Sequence, residues 1–257
     1  MTYRLPLVLV TLFLASPAFS QSLPSLQDEA QPAAANEPAS QISPSAAESR
    51  PSRSFDVDYN LTIATDYSTR GTSQTGGRPV VQGGVEVSKG IFYAGTWASN
   101  VDLGDSTNAE VDFYTGVRSQ TAGLDWDLRA LGYVYVGQPD GSEYNYAEYR
   151  ASVAKQVGRT RLGAVAFYTP DYFGTTKDEA LFLQTTAAHQ INERWSISGA
   201  VGRQWIPGPN DHTTWHFGPS YQATESLAVD LRYYDTDAHD LGSNYEGRVV
   251  LSLKAAF

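Results

Sequence analysis

Tyr245–Phe257 reads YEGRVVLSLKAAF. Every second residue, from Tyr245 through Gly247, Val249, Leu251, Leu253 and Ala255 to Phe257, is free of charge, while the other register carries Glu246, Arg248, Ser252 and Lys254. A period of two is the signature of a strand with one apolar and one mostly polar face. Ending on an aromatic with no tail, such a strand leaves an unpaired edge that a soluble protein avoids exposing. Closure into a barrel removes the edge. If the apolar face of that barrel looks outward, the medium around it is lipid. A soluble sandwich would bury the same face between two sheets.

The rest of the chain alternates in the same way from Phe55. Strands are expected at Phe55–Tyr67, Val80–Ser88, Ile91–Asp102, Ala109–Gln120, Leu124–Val136, Tyr146–Val157, Thr160–Tyr168, Ala180–Ile191, Arg194–Ile206, Thr213–Ala223, Leu227–Tyr234 and Tyr245–Phe257. The links alternate between long polar loops and tight turns such as Lys89-Gly90, Ala122-Gly123 and Gly158-Arg159. The reading is therefore an all-β, transmembrane antiparallel β-barrel of about twelve strands over residues 55–257, with both ends on the short-turn side. Registers are least distinct in Ile91–Asp102, Thr160–Tyr168 and Ala180–Ile191, where small residues occupy both faces.

Ahead of the barrel, residues 1–20 read as a secretory signal peptide. Arg4 precedes the apolar run Leu5–Ala15, and Ala18-Phe19-Ser20 is a small-x-small cleavage site. The run is shorter than the about 20 residues a spanning helix needs. Residues 21–54, rich in Pro, Ala and Ser without an aromatic, are expected to form a disordered periplasmic extension. There is no cysteine, so neither a disulfide framework nor a thiolate metal site exists. The 18 basic side chains, one of them Arg4, face 28 acidic ones, which argues against a nucleic-acid partner.

With the apolar register on lipid, the charged register lines the lumen. It holds Asp56, Asp58, Asp66, Glu86, Glu110, Asp112, Asp125, Asp127, Glu148, Asp230 and Glu246, against Arg118, Arg129, Arg150, Arg232, Arg248 and Lys254. Acids outnumber bases, so a water-filled interior favours cations. Pairing of these charges into a plug is the alternative. Arg70, beside the turn-permitting Gly71, is a candidate constriction residue folding toward Asp66, or else the cation of a salt bridge at the loop base. Gly83-Gly84 within a strand suggests a bulge or a close approach.

Enzyme signatures are sparse, and the reading is of a protein without catalysis or cofactor. On a strand, His212 and His216 stand roughly 13 Å apart, too far for one zinc. Asp235, Asp237, His239 and Glu246 echo a calcium loop, but Asp240 stands where that loop needs glycine. A barrel hydrolase would need a serine, a histidine and an Asn or Asp together, and no such set is identifiable from His189, His212, His216 and His239.

The terminal strand resembles the C-terminal signature of bacterial outer-membrane barrels, which implies the barrel-assembly machinery as a partner through Phe257. Further, YNLTIATDYSTRGTSQ (59–74), PVVQGG (79–84), FYAGTWASNV (92–101) and AEVDFYTG (109–116) together resemble the TorF-type porin family of proteobacteria. The matching elements are Asp66-Tyr67, Arg70-Gly71, Ser73-Gln74, Gln82-Gly83-Gly84, Tyr93-Ala94-Gly95, Trp97, Ser99 and Glu110-Val111-Asp112, within about residues 57–120. Ser68 and Thr69 depart from the bulkier residues expected of the family. The resemblance implies a Gram-negative outer-membrane barrel with a transport role and no particular substrate; the charged lumen itself is read as a narrow passage for small solutes or ions. The resemblance supplies no catalytic or binding residues.

Overall fold

The structure, a computed structural model, describes residues 55–173, 178–206 and 210–257. The expected signal peptide (1–20) and extension (21–54) lie outside the described residues. The strands are β1 (Asp56–Ala64), β2 (Ser68–Thr69), β3 (Thr72–Ser73), β4 (Val80–Lys89), β5 (Phe92–Asn100), β6 (Ala109–Thr121), β7 (Leu124–Val136), β8 (Tyr146–Val157), β9 (Thr160–Thr169), β10 (Ala180–Gln190), β11 (Trp195–Trp205), β12 (His212–Thr224), β13 (Leu227–Thr236) and β14 (Arg248–Ala256). Twelve of them form a closed antiparallel barrel, and β2–β3 make a separate two-residue hairpin. Closure pairs β1 with β14 from Asn60↔Ala256 to Ala64↔Ser252. The Phe257 N–H donates to the Tyr59 carbonyl at 2.9 Å, and the Tyr59 N–H donates back at 3.0 Å.

The alternation read from the sequence decides which face is which. Leu61, Ile63, Phe113, Leu128, Val201, Leu251 and Leu253 are exposed on the outer wall, while Asn60, Thr62, Asp112, Val250 and Ser252 are buried inside. Leaving a large apolar side chain in water forgoes about 1.5–3 kcal/mol each. An entire band of them is stable only in hydrocarbon. Trp195 and Trp205 face outward at the two ends of β11. Ten steps of about 3.3 Å, tilted by about 40°, separate them by roughly 25 Å of height, the height of the apolar band of such barrels.

Tight turns follow from local chemistry. Ala122 and Gly123, with φ of 53° and 74°, close the Thr121↔Leu124 pair in the doubly left-handed turn that suits strand twist. Two expected boundaries move by three residues, and the others by no more than two. The first strand stops at Ala64 rather than Tyr67, because the chain turns inward at Asp66. The last begins at Arg248 rather than Tyr245, because His239–Leu241 and Ser243–Tyr245 form 3-10 turns that carry the alternation on without a partner strand. Gly83-Gly84 makes no bulge, since β1 and β4 pair without interruption from Asp56↔Ser88 to Ala64↔Val80. Gly84 instead permits close approach: a Cβ there would lie 3.2 Å from Asn60 Nδ2 and 3.3 Å from Trp97 Cδ1.

A second close approach is reciprocal. Tyr93-x-Gly95 on β5 and Tyr114-x-Gly116 on β6 run antiparallel, so Tyr93 pairs with Gly116 and Gly95 with Tyr114. Each ring lies over the opposite glycine, where a Cβ would fall 2.3 Å (Gly95) or 2.5 Å (Gly116) from the tyrosine oxygen. This interlock fixes two phenols flat against the inner wall.

Candidate functional site: the lumen and its inward hairpin

The first long loop does not stay outside. Asp66, buried inside the barrel, folds it back. Its Oδ1 accepts from the Ser73 and Thr75 hydroxyls, each at 2.6 Å, and from the Gly77 N–H at 3.3 Å. Its Oδ2 accepts from Arg248 Nη1 at 3.1 Å. The β2–β3 hairpin is thereby held across the lumen, with Arg70 and Gly71 at its tip. Both have positive φ, 50° and 82°. At Gly71 a side chain has no room, since a Cβ would lie 2.3 Å from Thr214 Oγ1 and 2.6 Å from Thr236 Cγ2.

Arg70 is the key of this arrangement. Its Nη2 donates to Glu148 Oε2 on β8 at 2.6 Å, with side-chain exposures of 8% and 1%. Its Nη1 donates to Gln204 on β11 at 3.3 Å. The guanidinium sits 4.8 Å from the Phe167 ring centroid and 5.2 Å from that of Phe182. His212 Nε2 meets the Arg70 carbonyl at 3.0 Å. Arg70 thus pairs with Glu148 on the far wall. It pairs neither with Asp66 nor at the loop base.

The expected lumen acids and bases sort into layers. Near the long-loop rim, Glu110 accepts from the Tyr67 hydroxyl at 3.2 Å, Glu148 accepts from Tyr133 at 2.9 Å, and Asp112 is fully buried beside them. Toward the short-turn rim, Arg118 pairs with Glu86 at 2.7 Å and Arg150 with Asp127 at 2.7 Å. Arg129 Nε donates to the Tyr93 hydroxyl at 2.7 Å, and that hydroxyl donates to Asp127 at 2.5 Å. On another part of the wall Arg232 pairs with Asp230 at 2.8 Å, and Ser220 donates to the same carboxylate. Asp125 pairs with Arg161 at 2.5 Å. Asp58 is half-buried at the start of β1. Asp56 and Glu246 are exposed at the rims and do not line the lumen. Aromatic residues of the later long loops cover the mouth: Tyr144 stacks on Phe173 at 4.5 Å, and Phe173 meets Tyr135 edge-on at 5.2 Å.

Sequence reading missed the seat of Arg70. Phe167 and Phe182 face each other across β9 and β10. Each shares parity with its strand's polar residues, Arg161 and Gln184. A large aromatic in the polar register is the available signal that something lands on it.

A family model described as "Bacterial protein of unknown function (Gcw_chp)" matches residues 48–257. The chain belongs to the Gcw_chp family. Among solved structures, one titled "KdgM porin" aligns with a TM-score of 0.54 at 7% identity, covering 78% of this chain and 98% of that one. The COG4313 outer membrane channel from Pseudomonas putida F1 aligns at 0.50 and 9% identity, covering 78% and 94%. At such identities the likeness is one of fold, the closed barrel of outer-membrane porins and channels. No curated protein sequence matches this one.

The calcium-like loop of this Gcw_chp member is occupied by its own contacts. Asp235 accepts from the Tyr233 hydroxyl at 2.8 Å and contacts His239 at 2.7 Å, while Asp237 accepts from the Thr213 N–H at 2.6 Å. His189 contacts the Thr160 hydroxyl at the short-turn end, and His216 contacts Arg232. Among the described residues no three His, Asp or Glu side chains converge as a metal site.

Proposed function

We propose that this protein is an outer-membrane channel for passive diffusion of small ions or solutes, narrowed by the β2–β3 hairpin and weakly selective for cations. The carrying observation is the hairpin itself: a loop that crosses the lumen and ends in a buried Arg70–Glu148 pair sets the width of any path. Glu86, Asp127, Asp230, Asp66 and Glu148 each have an arginine, so the acidic excess concentrates at Glu110 and Asp112. A path edged by those two carboxylates attracts cations. The fold likeness to a porin and a channel supports this reading, as does the resemblance of residues 57–120 to the TorF-type porins. Under it, residues 1–20 direct export in a Gram-negative bacterium, the long loops are extracellular, and the terminal strand engages the barrel-assembly machinery. No catalytic step or cofactor enters.

Burial favours a second reading, a non-conducting barrel whose lumen is plugged: Glu110, Asp112, Glu148 and Gln204 are all at most 2% exposed. Single-channel recording in a planar bilayer with a salt gradient separates the two. Discrete current steps with a reversal potential on the cation side are expected. A folded, heat-modifiable barrel that never conducts overturns the channel and leaves the hairpin as a permanent plug.

A further inference from the structure

His212 opens β12 and is buried, 2% exposed. Both of its ring nitrogens meet backbone carbonyls. Nδ1 lies 3.0 Å from the Asn210 oxygen, and Nε2 lies 3.0 Å from the Arg70 oxygen. A carbonyl oxygen only accepts, whereas a neutral imidazole carries one N–H and one bare lone pair. A neutral ring therefore satisfies one of these contacts and sets lone pair against lone pair at the other. The imidazolium donates to both.

The contact to Arg70 depends on the hairpin. The β2–β3 ladder closes between Thr69 and Thr72, so the carbonyl of Arg70, at the first turn position, lies outside that ladder. Arg70 holds a positive φ, a region arginine rarely adopts. Beside it, Gly71 is wedged against Thr214 and Thr236. The Arg70 carbonyl is thus delivered to the wall, where a side chain 142 residues away receives it. Around the ring, Gln204 of β11 stands opposite in register, with its oxygen taken by Arg70. Tyr245 of the last long loop packs edge-on at 5.3 Å. The Arg70 guanidinium is paired with Glu148. Asp211 accepts from the Ile206 N–H at 2.8 Å and lies 3.9 Å from Arg203.

We propose that the hairpin is a proton-linked latch: seating its tip places both protons on His212, so the lumen is narrowed in acid and widens as pH rises through the histidine range. His212 is a positioning residue that acts on the path through the Arg70 carbonyl. Histidine is the side chain that ordinarily changes charge between about pH 5 and 8. A seated form that binds one more proton than the unseated form is favoured by acid. Its seated-to-unseated ratio falls by up to about tenfold per pH unit once the unseated ring is neutral. The acids that hold the hairpin work in the opposite direction, since protonating Glu148 or Asp66 frees its tip or its base. A hairpin that tightens on acidification therefore reports the histidine. This deepens the channel reading and rests on it for the effect on current.

Hydrogen exchange on the full chain in detergent reads the latch without current. Amide protection factors of residues 68–74, corrected for the intrinsic pH dependence of exchange, are expected to fall about tenfold from pH 6 to pH 8, while those of β6 and β7 hold. His212→Gln, which cannot titrate, is expected to abolish that dependence. Protection that is flat in the wild type, that rises with pH, or that changes equally in His212→Gln overturns the latch. A second measurement stands whether or not His212→Gln folds. With His189→Gln, His216→Gln and His239→Gln combined, His212 is the sole imidazole of the chain, and its nitrogen-15 spectrum reads the ring directly. An imidazolium that persists until the hairpin amides lose protection is expected. A singly protonated ring beneath fully protected hairpin amides overturns the proposal. A pH-dependent hairpin without current sinks the channel reading and keeps the latch. Current with a pH-independent hairpin does the reverse.

Discussion

Replacing Arg70 with alanine tests the constriction. The substitution removes the 2.6 Å pair with Glu148, the contact to Gln204 and the stacking over Phe167 and Phe182. It leaves Glu148 buried with the Tyr133 hydroxyl as donor. Removing one member of a buried ion pair costs about 3–5 kcal/mol, chiefly because the surviving charge is stranded. At about 1.4 kcal/mol per factor of ten, even the lower figure shifts the hairpin's docked-to-undocked ratio by roughly a hundredfold. The base of the loop stays anchored through Asp66 and Arg248, so the tip swings while the barrel persists. Single-channel recording is expected to show larger, noisier steps in Arg70→Ala. Adding Glu148→Gln relieves much of the destabilisation, because the stranded charge is gone. Wild-type conductance and wild-type thermal stability in Arg70→Ala would refute the idea that this pair holds a constriction.

Gly95→Ala places a Cβ 2.3 Å from the Tyr114 oxygen and 2.6 Å from the Val85 carbonyl; the backbone contact cannot yield, so a loss of about 1–3 kcal/mol is expected in unfolding titrations, and an unchanged midpoint would contradict the interlock. Leu251→Arg, on the outer face of β14, is expected to destabilise the barrel in lipid by about 2–4 kcal/mol; a cost near zero would place that face outside the hydrocarbon. Asp105 accepts from the Thr107 N–H and the Tyr144 hydroxyl at 2.7 and 2.8 Å. The bonds from Thr107 foremost, then that from Tyr144, hold its carboxyl below the ordinary value. Its folded pKa being the depressed one, the tie to Tyr144 is intact above about pH 4 and is lost as pH falls through the lowered value. Amide protection factors of residues 101–108, corrected for the intrinsic pH dependence of exchange, should fall only in strong acid, and protection indifferent to pH would remove Asp105 as the clasp.

The barrel was legible because its determinants are local. Alternation assigns faces residue by residue, and Gly90, Ala122-Gly123 and Gly158 mark turns through backbone preferences of the adjacent chain. Legibility ended where contacts became distant. Arg70 finds Glu148, Gln204 and His212 at separations of 78, 134 and 142 residues, and nothing in YSTRGTSQ announces them. Asp66–Tyr67 and Tyr245–Gly247 continue the alternating pattern, yet they lack a partner strand in the barrel, so pattern alone overran both ends. Counting acids against bases likewise overstated the free charge of the lumen, because pairing of Arg118 with Glu86 or Arg232 with Asp230 depends on side-chain reach that composition does not encode. The carboxylates that do stand apart, Glu110 and Asp112, were among the candidates but could not be ranked.

The hairpin follows β1 directly, yet its seat is assembled from Glu148, Phe167, Phe182, Gln204, His212 and Thr236, with Arg248 holding its base. A chain that gains its strands in order therefore carries the hairpin through almost the whole of assembly with nowhere to dock. Closing so long a loop adds only about 0.6 kcal/mol of entropy per doubling of its length, but contacts this distant in sequence form slowly. Until the last strand meets the first, Asp66 lacks Arg248, and Glu148 waits for its guanidinium. An incomplete barrel is thus both unobstructed and electrostatically penalised, and seating of the hairpin is the event that distinguishes a finished wall from an open sheet.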